Sequence, residues 1–164
     1  VSKVKYMQNM FCECQNFNQP LNNWNVSNVV NMGDMFANCD IFNQPLNDWD
    51  VSNVEDMSWM LKGCDDFNQP LDKWDVSKVV NMFGILQECI NFNQNISNWN
   101  VSSVKIMDYM FYTCENFNQP LNNWDVSNVK TMNHMFDECK NFNQSLNDKS
   151  PPNLKDSLYE FLVE

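Results

Sequence analysis

The chain has no arginine, one histidine, two threonines, three glycines and only ten lysines against 21 acidic residues in 164 positions. Each scarcity closes a class of function. With a net charge of -11 and no guanidinium to read guanine, nothing can gather a phosphate backbone, so nucleic acid is excluded as a partner. An anionic membrane surface would repel the chain for the same reason. No run of 18 apolar residues exists, so this segment inserts no helix into a membrane. Three glycines make no P-loop, and no G-x-S-x-G elbow occurs. The single histidine, His134, has no fixed Ser, Cys or Asp companion. The chain therefore reads as non-enzymatic, with no cofactor. Thr113 and Thr131 are too few for the threonine columns of an ice-binding array. The opening residues, VSKVKYMQNMF, lack the basic start and apolar stretch of a secretory signal. They begin inside a repeat unit, so the chain is expected to be part of something longer, and the compartment stays open.

What the chain has in excess is asparagine, 29 residues, which explains a mean hydropathy of -0.51 in a sequence that is 43% hydrophobic and 13% aromatic. It also repeats. Val1, Val26, Val51, Val76, Val101 and Val126 follow at 25-residue steps without insertion, and Ser2 to Ser127, Met7 to Met132 and Cys14 to Cys139 keep the same step. Phe-Asn-Gln recurs unchanged at 17, 42, 67, 92, 117 and 142, and Trp24, Trp49, Trp74, Trp99 and Trp124 close five units. The consensus is V-S-x-V-x-x-M-x-x-M-F-x-x-C-x-x-F-N-Q-P-L-x-x-W-[DN].

Each unit divides in two. Val29, Met32, Met35, Phe36 and Cys39 stand at the spacing of one face of a short helix, with Ser52 and Glu55 fitting a capping box in the third unit. Leu21-x-x-Trp24-x-Val26 suits a short strand, entered after Pro20. L-x-x-W-x-V superimposes on the strand signature of leucine-rich repeats, L-x-x-L-x-L. The expected fold is an α/β solenoid, leucine-rich-repeat-like, of six strand-plus-short-helix units at 1–25, 26–50, 51–75, 76–100, 101–125 and 126–150. Pro151-Pro152 ends the array, and Leu154, Leu158, Phe161 and Leu162 recur at helical spacing, so 151–164 is expected to be a C-terminal capping helix.

The stretch from Phe42-Asn43-Gln44-Pro45-Leu46 through Trp49-Asp50-Val51-Ser52-Asn53-Val54 to Met57 and Met60 carries a family hallmark. It resembles the BspA-like leucine-rich surface proteins, and within them the repeats first catalogued in mycoplasma lipoproteins. The resemblance covers residues 1 to about 149. It implies a surface or secreted ectodomain concerned with adhesion or host contact; similar repeats in large DNA viruses add a virion setting. It brings no catalytic residues.

Several columns admit a structural and a chemical reading. Cys14, Cys39, Cys64, Cys89, Cys114 and Cys139 are either a stack of buried thiols or, in a secreted chain, partners in disulfides; zinc would want more histidine or CxxC pairs. The Asn-Gln column is either a ladder bonding one loop to the next or a row of ligand-binding amides. Asp50, Asp75 and Asp125, with Asn25 and Asn100 between them, either bond to turn amides or bridge calcium through oxygen. Asn at two of these positions argues against an obligatory metal. The columns that vary are different. One reads Asn9, Asp34, Trp59, Gly84, Tyr109, His134, with Phe83 and Tyr112 beside it. Trp59, Phe83, Tyr109, Tyr112 and His134 are therefore the candidate binding residues, unless Trp59 and Tyr109 are partly buried between neighbouring helices. The expected function is a surface protein-binding or adhesion module for a protein or glycan. The alternative is a structural building block of a virion or cell envelope, with copies of the chain as partners.

Overall fold

The computed structural model describes residues 1–144. The capping helix expected at 151–164 and the end of the sixth unit lie outside the described residues. The 25-residue units lie one above the next. Tyr6, Asn31, Asp56, Asn81, Ile106 and Thr131 form parallel bridges from unit to unit. From there, every second amide donates to the following unit: Met7 to Asn31, Asn9 to Gly33, Phe11 to Met35 and Glu13 to Ala37, at 2.9, 3.0, 2.8 and 2.7 Å. The amides between them close turns inside their own unit. Met10 donates to Met7, Cys12 to Asn9, Cys14 to Phe11, Phe17 to Cys14, Trp24 to Leu21 and Val29 to Val26.

The described residues contain no helix, and strand is reduced to isolated bridges. The α/β solenoid of strand-plus-short-helix, leucine-rich-repeat-like units is therefore not what this sequence builds. A turn closed between residues i and i+3 sends its two ends inward and its two middle residues outward. The ends Val51 and Val54, Met57 and Met60, and Leu61 and Cys64 are buried. In the middles, Ser52, Asn53, Ser58, Trp59 and Lys62 are not, and Gly63, which has no side chain to expose, is covered. Turns in succession therefore place apolar residues at i, i+3, i+4 and i+7, the spacing of a helix face. The segment expected as a strand is also a turn, closed by Trp24 N–H on the Leu21 carbonyl at 2.9 Å. Ser52 caps no helix; its amide and hydroxyl donate to Asp50 Oδ1 at 3.1 and 2.6 Å.

Two residues per unit are left-handed. Asn9, Asp34, Trp59, Gly84, Tyr109 and His134 have φ between 51° and 57°, and Glu13, Asn38, Gly63, Glu88, Thr113 and Glu138 between 58° and 65°. They stand third in their turns, where a type II turn requires positive φ. A right-handed helix could not hold them. Inside, like residues stack on like. Phe42, Phe67, Phe92 and Phe117 form a column with ring centroids 6.0, 6.1 and 6.0 Å apart. Burying each such ring contributes roughly 1.5–3 kcal/mol, available only when another unit covers it.

Candidate functional site

The recurring polar columns are spent on the fold. Each buried thiol, at Cys39, Cys64, Cys89, Cys114 and Cys139, donates to a carbonyl of the preceding unit at 3.0, 3.2, 3.0, 2.9 and 2.8 Å. All seven cysteines are free, with Cys14 exposed and Cys12 half-buried. Burial pushes the Cys39 and Cys139 thiols up to about 12, and Cys64, Cys89 and Cys114 well above the ordinary thiol range. These thiols are protonated donors and not nucleophiles.

The amide column is a ladder. Asn43 Oδ1 accepts from Asn68 N–H at 3.1 Å and from Gln69 Nε2 at 3.0 Å, and Asn18, Asn68, Asn93 and Asn118 do the same one unit on. Asp50, Asp75 and Asp125 accept from the amides of Ser52, Ser77 and Ser127 at 3.1, 3.0 and 3.1 Å, and Asn25 and Asn100 stand in for them at the same task. Bonds from Ser77 hold the Asp75 carboxyl below the usual carboxylate range. This column is occupied by local turn bonds. Among the described residues, no three His, Cys, Asp or Glu side chains gather as a possible metal-ligand set.

The varying column behaves differently. Trp59 meets Phe83 edge-on with centroids 4.7 Å apart, and Phe83 meets Tyr109 at 5.5 Å. Tyr109 lies 5.6 Å from Tyr112 and stacks on His134 at 4.9 Å. The five residues singled out in the sequence thus form one contiguous strip across four units. Trp59, Phe83, Tyr109 and Tyr112 are half-buried and His134 is exposed, its Nδ1 2.7 Å from Asp137 Oδ2. What half-buries Trp59 and Tyr109 is the turns of adjacent units, not neighbouring helices. Gly84 makes the fit possible, since a Cβ there would lie 2.7 Å from Trp59 Cδ1.

The strip borders a groove of about 500 Å³ whose polar side carries Glu13, Asp34 and Lys62. Of these three only Asp34 stands in the varying column, and none is among the candidate binding residues. The available signal was position: Asp34 precedes Trp59 by one 25-residue step in the same column, and Lys62 follows it by three residues. Burial pushes the Asp34 carboxyl upward, Asp56 adds to the shift, and Lys62 opposes it.

Fold and strip together define a class: a repeat protein of stacked turn units whose recurring side chains build the stack, with an unrepeated aromatic strip on its outside. Within that class, the chain belongs to the family described as Mycoplasma protein of unknown function, DUF285, whose model matches residues 1–88 and 69–162. The resemblance to mycoplasma-type BspA-like repeats holds at that coarse level. Neither the curated proteins nor the solved structures contain a match to the chain.

Proposed function

We propose that this protein is a non-enzymatic repeat scaffold, a surface adhesion module that holds a protein or glycan partner against the strip of Trp59, Phe83, Tyr109, Tyr112 and His134. The observation that carries this reading is the conformation of the strip. Trp59 and Tyr109 occupy left-handed positions that Asn9, Asp34 and Gly84 fill elsewhere in the same column. Asn, Asp and Gly enter that region readily, whereas a bulky aromatic costs roughly 1–2 kcal/mol there. Strain kept at an outward-facing position suits recognition better than stability.

Binding of the labelled chain to epithelial cell monolayers tests the reading. A Trp59→Ala, Tyr109→Ala double variant is expected to bind about tenfold more weakly or worse, with its melting temperature within a few degrees of the parent. Undiminished binding would remove the strip from the function. Ordered oligomers of the parent that dissolve in the same double variant would shift the reading to self-assembly.

A further inference from the structure

The groove beside the strip holds unspent bonding capacity of two kinds. The buried indoles Trp49, Trp74, Trp99 and Trp124 each donate Nε1–H to a carbonyl of the preceding unit, at 3.1, 2.9, 2.9 and 3.1 Å. Trp59 Nε1–H makes no such bond, and among the described residues no buried polar side-chain atom lacks a partner, so this N–H opens to solvent. In the same groove, Lys62 is close enough to Asp34 to oppose the upward shift that burial gives its carboxyl, yet the two are not joined as an ion pair. A carboxylate, an ammonium and an indole N–H therefore offer acceptor and donors together, beside the rings of Trp59, Phe83 and Tyr109.

A guest that satisfies all of these needs a flat apolar face for the rings and an edge of groups that both donate and accept. Pyranose rings have both: C–H faces that stack on aromatics, and hydroxyls that act in either sense. A cationic peptide would suit Asp34 and Glu13, and its carbonyls could accept from the indole N–H, but its charge would meet Lys62. An anionic guest would meet the two carboxylates. The groove's volume falls in the range of small-ligand sites, roughly 300–1,000 Å³, which fits a short oligosaccharide and not a folded domain.

We propose that the groove binds a neutral oligosaccharide, with a sugar ring against Trp59 and Tyr109, hydroxyls donating to Asp34, and hydroxyls accepting from Lys62 and Trp59 Nε1. This rests on the strip being a binding surface and names its ligand class.

The test is an array of neutral oligosaccharides built from glucose, galactose, mannose and N-acetylhexosamines, followed by calorimetry on those retained, with an oligolysine peptide as the second probe. The parent chain is expected to bind at least one saccharide, and Trp59→Ala to weaken it about tenfold or more. Lys62→Met should weaken the saccharide while strengthening the peptide. Asp34→Asn should weaken both, and its fold is protected because Asn9 already occupies the same left-handed position in the first unit. No saccharide bound, or saccharide binding indifferent to Trp59→Ala and Lys62→Met, overturns the assignment. Peptide binding that depends on Trp59, without saccharide binding, overturns the ligand class and leaves the surface-binding reading intact. Strip variants that alter neither probe nor cell binding overturn both.

Discussion

Trp59 and Trp74 are the same side chain put to opposite uses. Trp74 stacks 6.2 Å from Trp99 and spends its N–H on the Leu46 carbonyl, while Trp59 stands on the outside over a glycine. The difference was visible in the sequence as recurrence, since Trp74 has a counterpart 25 residues away on either side and Trp59 has none. The left-handed backbone was only half visible, because Asn9, Asp34 and Gly84 favour it while Trp59, Tyr109 and His134 in the same column do not announce it. Gly84 is the residue that exposes this arrangement to test. Its φ is +54°, and an added methyl would meet Trp59 Cδ1 at 2.7 Å, so Gly84→Ala should cost about 1–2 kcal/mol and weaken any ligand held by Trp59. Gly33→Ala is the control. There φ is not positive and the nearest atom is a side-chain oxygen at 3.2 Å, so a smaller shift in melting temperature is expected. Equal melting temperatures for both variants and the parent would remove the left-handed strain from the account.

Turns, not helices and strands, are the elements of this molecule, and each works only in company. Half of the amides in the Met-x-x-Met-Phe-x-x-Cys segment bond to the next unit, so an isolated unit would leave them to water. The cysteine closing that segment follows the same rule, because its thiol donates to a carbonyl of the unit before. Cys14 shows no such bond and is exposed, and Cys12 is half-buried. Burial and the neighbouring Glu13 push the Cys12 thiol up, so Ellman's reagent should modify exposed Cys14 first, Cys12 more slowly, and the five buried thiols only as fast as the stack opens. Rapid modification of all seven would contradict the buried column. The buried set was legible in the sequence from its period alone. The element type was not, since linked turns and a helix face share the spacing of Val29, Met32, Met35, Phe36 and Cys39.

At the scale of the molecule, stability is a sum over units and the contacts between neighbours. A charge placed in one unit should therefore damage that unit and those flanking it most. Met57 is fully buried, and its amide donates to Asn81 one unit on at 3.0 Å. Met57→Asp is expected to cost several kcal/mol, enough to open units two to four of a marginally stable chain. Hydrogen exchange should show protection lost first in residues 26–100, with melting well below that of the parent; unchanged melting would sink the stacked core. The sequence by itself determined the 25-residue register, the inward residues and the unrepeated aromatic column, because packing like on like demands recurrence and a surface does not. Only the tertiary structure decided that the units are turns, that Trp59 and Tyr109 are left-handed, and that Asp34 and Lys62 face the strip. Those outcomes depend on where each amide finds its acceptor, and in the Met-x-x-Met-Phe-x-x-Cys segment half of the amides find theirs 24 residues away in the next unit, beyond the reach of any local pattern.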